Sequence, residues 1–242
     1  MMNFSKFAAV ATVATAAIAT SSAVMPSSAQ AFSLAIDPQF GSTENTGSTA
    51  KLNFDFVQSG SSVLLNLGMI NTTNGIVGLK ATESTLVGIA FDTPDTVSGV
   101  SLQSPNGSAF TQLWQNVSLQ PFGTYDVGIS TPRNSFEGGN ANQGLKAGKS
   151  ATVSFLFNTT LDATALEKVF LEGFTNGSLR AAGRFQQVDV GSGSDKVRGG
   201  IIQPPPVQKV PEPSALLGIL TMGGVLLGHK RLQGKTKLTQ SV

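Results

Sequence analysis

Few residues in this chain can do chemistry, and their types exclude most reactions. The 242 residues include no Cys and a single His, His229. Without Cys there is no disulfide framework, thiolate metal site or thiol nucleophile. His229 falls near the C-terminal end, beyond the apolar stretch 214–228, so residues 32–203 have no imidazole base for a Ser–His–Asp triad. A His-based zinc or haem site fails for the same reason. No catalytic residue, metal ligand set or cofactor is expected, and the chain is read as a non-enzyme.

Oxygen chemistry is what remains. Asp92 and Asp95 flank one turn, and Asp189 and Asp195 flank another that is rich in Gly and Ser. Carboxylates on such loops can hold calcium. The spacing matches no EF-hand or Gly-rich calcium repeat, and Asp also favours turns because it bonds its own backbone. Asp126, Glu137, Asp162, Glu167 and Glu172 are the pool from which a paired-carboxylate hydrolase would draw, given two carboxyls roughly 5–10 Å apart. Carboxylates on a sheet surface are more often simply solvated. Trp114, Phe122 and Tyr125 share one polar stretch. Exposed, Trp114 and Tyr125 would offer ring faces to a surface polysaccharide; buried, they would be ordinary core. Gly138-Gly139 and Gly199-Gly200 fit neither phosphate-loop pattern. The N-x-[ST] triplets, Asn71-Thr72-Thr73 among them, are what chance gives in a chain so rich in Asn, Ser and Thr.

The elements that would position these residues are bounded by composition. Charged residues make up 12% of the chain, against roughly 25% in an average soluble protein. Hydrophobic residues make up 40%, with 15 Phe, enough for a core. At the N-terminus, Lys6 precedes a charge-free Ala/Val/Thr/Ile run, and Ala29-Gln30-Ala31 forms an A-x-A cleavage site. Residues 1–31 therefore read as a secretory signal peptide with Phe32 as the mature N-terminus, which implies signal peptidase and the secretion machinery as partners.

The C-terminus has three successive parts. Residues 204–213 hold five of the chain's 11 prolines, an extended linker. Residues 214–228 carry no charge. As a helix they span about 22 Å at a rise of about 1.5 Å per residue, short for a permanent span and suited to transient insertion. Residues 229–242 form a basic tail with Lys230 and Arg231, expected on the cytoplasmic side.

Val210-Pro211-Glu212-Pro213, the apolar stretch and Lys230-Arg231 together resemble the PEP-CTERM sorting signal of exported proteins in Gram-negative bacteria, cyanobacteria among them. The resemblance implies transient anchoring in the inner membrane and cleavage near Pro211–Pro213 by an exosortase, a membrane-embedded cysteine protease. It covers about the last thirty residues and implies nothing about the activity of the rest. The stretch 232–242 is longer than such tails usually run. An ordinary single-pass anchor is the competing reading.

Between Asp37 and Glu212 stand all 14 acids and 11 bases, a balance of −3. The precursor's basic pI of about 9.0 thus belongs to its ends. No basic patch with interleaved aromatics appears between them, and no nucleic-acid partner is expected.

Residues 32–203 read as one β domain. Leu52, Phe54 and Phe56 alternate with polar residues, as do Val153, Phe155 and Phe157. Such alternation marks half-buried strands. Further apolar runs over 63–70, 86–91, 97–102 and 185–190 end at Gly, Asn or Pro turns. The fold class expected is mainly β: an antiparallel β-sandwich, jelly-roll or Ig-like, plus an N-terminal signal helix and a C-terminal transmembrane helix. One short helix follows an Asp162 N-cap and is expected to end at Gly173. Residues 130–148 are expected to form a long polar loop of the kind that often carries function. Phe136-Glu137-Gly138-Gly139, the 144–150 stretch, Arg184-Phe185-Gln186 and Ser194-Asp195-Lys196-Val197 resemble a group of cyanobacterial PEP-CTERM surface proteins of unknown activity. That resemblance implies a fold and a surface location and no chemistry.

Overall fold

The computed structural model describes residues 31–103 and 108–202. The signal helix with Ala29, the linker with Val210–Pro213, the apolar stretch and the basic tail lie outside the described residues. Among the described residues no helix is long and apolar enough to cross a membrane.

The strands are β1 (Phe32–Ile36), β2 (Ala50–Ser59), β3 (Ser62–Asn71), β4 (Thr85–Phe91), β5 (Val97–Leu102), β6 (Gln112–Ser118), β7 (Thr124–Ser130), β8 (Leu145–Lys146), β9 (Ser150–Thr159), β10 (Ala181–Gln186) and β11 (Ser194–Gly200). The sole described α-helix is α1 (Ala163–Asn176). All pairings are antiparallel, in the order β5-β9-β3-β2-β1-β11-β10-β4-β7-β6, with β8 added beside β4. The mainly β, antiparallel expectation therefore stands. The two sheets expected of a sandwich are instead one, curled nearly into a barrel. The seam is narrow: β1 meets β11 only through Ala35↔Gly200 and Ile36↔Gly199.

The β2–β3 hairpin shows why alternation sets register. Side chains two apart share a face, and the pairing from Ser59↔Ser62 to Ala50↔Asn71 puts Leu52, Phe54 and Phe56 beside Met69, Leu67 and Leu65. All six are buried. Gly60, at φ +60 with open space around it, makes the two-residue turn, a conformation that costs Gly little. The main core fills the space inside the curl. Phe91 of β4 meets Phe54 of β2 edge-on at 5.9 Å and Phe155 of β9 at 5.7 Å.

Helix α1 completes that core. Its Phe170 stacks on Phe157 at 5.8 Å and lies 5.1 Å from Phe56, while Phe174 lies 5.4 Å from Phe54. Asp162 accepts from the Ala165 N–H at 2.8 Å, the expected N-cap. The expected stop at Gly173 is wrong. The helix runs on to Asn176 and is capped by left-handed Gly177 at φ +81. Gly173 serves packing instead, because a Cβ there would sit 2.5 Å from the Leu179 side chain as the chain doubles back.

All seven residues of β4 are buried, so it is covered on both faces. Ile89 and Phe91 point into the main core, and Ala90 between them belongs to a second, outer cluster with Ala182, Val117, Leu119, Tyr125 and Phe136. Five strands differ from expectation by omission (β1, β6, β7, β8, β11), and the strand expected over 185–190 is shifted. It runs Ala181–Gln186 and stops where Gln187 takes φ +48.

Candidate functional site

The acids of the first turn do converge. Asp92 closes β4 and accepts from Arg180 Nε at 2.8 Å and from the Arg180 backbone N–H at 3.0 Å. That hydrogen bond holds the Arg180 guanidinium above its ordinary pKa. Arg180 also donates to the carbonyls of Phe122 and Thr124, and it lies over the Tyr125 ring at 4.9 Å, within cation–π range. Asp126 of β7 accepts from the Thr93 N–H at 2.8 Å. Asp92, Thr93, Thr124, Asp126 and Arg180, with Asp95, Ser178 and an apolar wall of Val169 and Leu179, line an open cleft of about 680 Å³. Arg180, Thr93 and Thr124 were not singled out in the sequence. Arg180 follows a turn with no local motif to mark it.

The other acids of the hydrolase pool are scattered. Glu137 pairs with Lys196 at 2.8 Å, Asp162 caps α1, and Glu172 meets Lys168 at 3.7 Å on an exposed helix face. Glu167 is buried on α1. Among the described residues no group of three or more His, Cys, Asp or Glu is placed to hold a metal ion.

The second turn is tied to the body by hydrogen bonds. Asp195 is fully buried. Its carboxylate accepts from the hydroxyls of Ser42, Thr43 and Thr46 and from the N–H groups of Thr43, Glu44 and Thr46. Both oxygens thus face donors. Asp189 is exposed and accepts from the Thr82 hydroxyl and N–H. The Thr82 hydroxyl holds the Asp189 carboxyl below the usual range.

The expected glycan contact is corrected at Tyr125. This residue is fully buried, so its ring offers no face to a ligand. Its hydroxyl has no hydrogen-bond partner among the described residues. Burial pushes the phenol pKa up, against the pull of Arg180 and Arg198. Trp114 is half-buried on β6, and its indole N–H is spent on Ser130 Oγ at 2.8 Å.

Three of the four stretches behind the second resemblance meet in space, and the fourth lies across β4 from them. Phe136 lies flat on the glycines of β4 and β7: a Cβ on Gly88 or Gly128 would stand 3.0 or 2.9 Å from its ring. Arg184 Nε and Gln186 Nε2 donate to the carbonyls of Glu137 and Gly138, at 3.3 and 2.6 Å. Burial lowers the Arg184 pKa, while Glu137 and Asp195 raise it. Lys196 holds the Glu137 carboxylate, and the 144–150 stretch supplies β8 beside β4. The long polar loop is therefore a clasp over the outer cluster, which accounts for its unusual residues by packing.

No protein-family model matches the chain, and no curated protein matches it. One solved structure, from a study of pH-induced modulation of Streptococcus parasanguinis adhesion by Fap1 fimbriae, aligns with 71% of this chain and 94% of its own. The identity is 10% and the TM-score 0.31, too low to carry an argument.

Proposed function

We propose that this is an exported protein of the cell surface or extracellular matrix, sorted by its C-terminal segment, with a structural or adhesive β body. The observation that carries the reading is the run Val210-Pro211-Glu212-Pro213, charge-free residues 214–228 and Lys230-Arg231. In this reading signal peptidase cuts after Ala31, residues 214–228 hold the chain transiently in the inner membrane, and an exosortase cuts near Pro211–Pro213.

The limits of the folded body support it. Phe32, the first residue after the proposed signal cleavage, is already paired with Phe54 and stacks on its ring at 5.0 Å. The last described strand ends at Gly200, just before the Pro-rich linker. The body's distinctive polar side chains are committed to internal contacts, which suits a scaffold better than a hydrolase. With Tyr125 buried, no observation favours glycan binding through Trp114 and Tyr125.

The test is the intact mass of the protein recovered from the host's surface and medium. The expected species begins at Phe32 and ends near Pro211–Pro213. A species that keeps residues 216–242 would make the tail a plain anchor and overturn the exosortase reading.

A further inference from the structure

Four large apolar side chains stand well exposed among the described residues: Val57 at 44%, Ile76 at 73%, Leu79 at 54% and Ile202 at 57%. Three of them belong to one region. Ile76 and Leu79 share the 72–81 loop, and Ile76 lines a cleft of about 490 Å³ together with Ile202, Val77 and Ala35. Val57 lies toward the other end of β2, next to the hairpin turn. Scattered apolar side chains need no explanation, whereas a grouped set marks an interaction surface.

The loop that carries them is held firmly. Leu79 N–H donates to Asn45 O and Ala81 N–H to Thr46 O, which sews it to the 42–46 segment. That segment is in turn bound by the Asp195 carboxylate. Gly78 and Gly47 fit where a Cβ would come within 2.2 Å of Asn45 O and 2.1 Å of Val77 O. A loop this constrained does not expose Ile76 through slackness.

We infer that the 72–81 loop, through Ile76 and Leu79, is a lipid-facing surface that seats the body on a bilayer. Ile202, beside Ile76, is where the chain leaves the body. Only residues 203–213 separate it from the apolar stretch at 214–228. Eleven residues reach at most about 40 Å, even fully extended. A body tethered that closely meets the bilayer at high effective concentration, so two apolar side chains suffice. Lys80 on the loop and Lys51 in the cleft wall are matched by Asp37 in the cleft and by Glu44 and Asp189 beside the loop, so apolar contact rather than headgroup charge seats it. The inference rests on the reading that residues 214–228 enter a membrane.

The absence of Cys makes the test direct. Full-length chains with Ile76→Cys, Leu79→Cys or Val57→Cys, each with a C-terminal His tag, are labelled with an environment-sensitive fluorophore. They are mixed with phosphatidylglycerol–phosphatidylethanolamine vesicles bearing a lipid-attached quencher, with and without nickel-chelating lipid. Quenching and a blue shift at 76 and 79, with neither at 57, are the expected result. Equal, weak quenching at all three positions on nickel-tethered vesicles would overturn the inference. Failure of the chain to float with vesicles that lack nickel lipid would instead overturn the membrane reading of the tail, and the tethered samples would still decide the loop.

Discussion

Asp195 brings a carboxylate into the interior, where N–H and O–H dipoles solvate it. Truncation leaves those buried donors unmatched, and each such loss costs about 1–3 kcal/mol. Asp195→Ala is expected to destabilise the body by at least about 3 kcal/mol, read as a lower urea midpoint at unchanged m-value. Asp189→Ala, at an exposed site with similar partners, is expected to shift the midpoint far less. Tyr125 is the reverse case, a buried hydroxyl with no partner among the described residues. Removing it relieves a desolvation cost, so Tyr125→Phe is expected to stabilise by about 1–3 kcal/mol. Its pH dependence has a definite sign. The folded phenol pKa is raised, so above about pH 10 the unfolded chain releases a proton that the folded chain keeps, and stability falls. Tyr125→Phe should lack that part of the alkaline loss. This is the chain's one Tyr, so tyrosinate absorbance should appear together with unfolding.

Among the elements, α1 shows which signals a sequence carries. The Asp162 cap was legible because capping is local: one side chain and an N–H three residues on. The end of the helix was not, because Gly173 answers to Leu179 in the returning chain. Asp162→Ala is expected to cost about 1 kcal/mol. Phe170→Ala, which empties a site ringed by Phe54, Phe56 and Phe157, is expected to cost about 3–5 kcal/mol. Thermal melts of both variants check the pair, and a larger effect for Asp162→Ala would reverse the assignment of cap and core. Strands β2, β3 and β9 were readable because one face is apolar along their length. Strand β11 was not: Asp195 and Lys196 interrupt its pattern, since one serves a buried hydrogen-bond ring and the other the clasp. Strand β6 escaped notice because its edge position leaves it half-exposed.

At the scale of the whole molecule, the antiparallel architecture was legible and the joining of its halves was not. The joining depends on two ladder pairs and on backbone bonds of Asp37, Gly41 and Thr43 to β11, all between residues more than 150 apart, and no local pattern encodes them. The cleft was half legible: Asp92 and Asp95 stood out as a turn, while Asp126 and Arg180 arrive from distant segments. The β1–β11 seam has a mechanical consequence. Its register brings Phe32 and the chain beyond Gly200 out at the same end of an antiparallel pair. A load between the two ends therefore peels the strands apart and meets their hydrogen bonds one after another. Pulled that way, the body is expected to open at low force, β1 first. Pulled instead between Phe32 and a handle at Ser194, at the opposite end of β11, the pair is loaded lengthwise and should hold to higher force. Single-molecule stretching in the two geometries measures the difference, and equal rupture forces would contradict it. A body built this way is weakest when drawn out by its two ends.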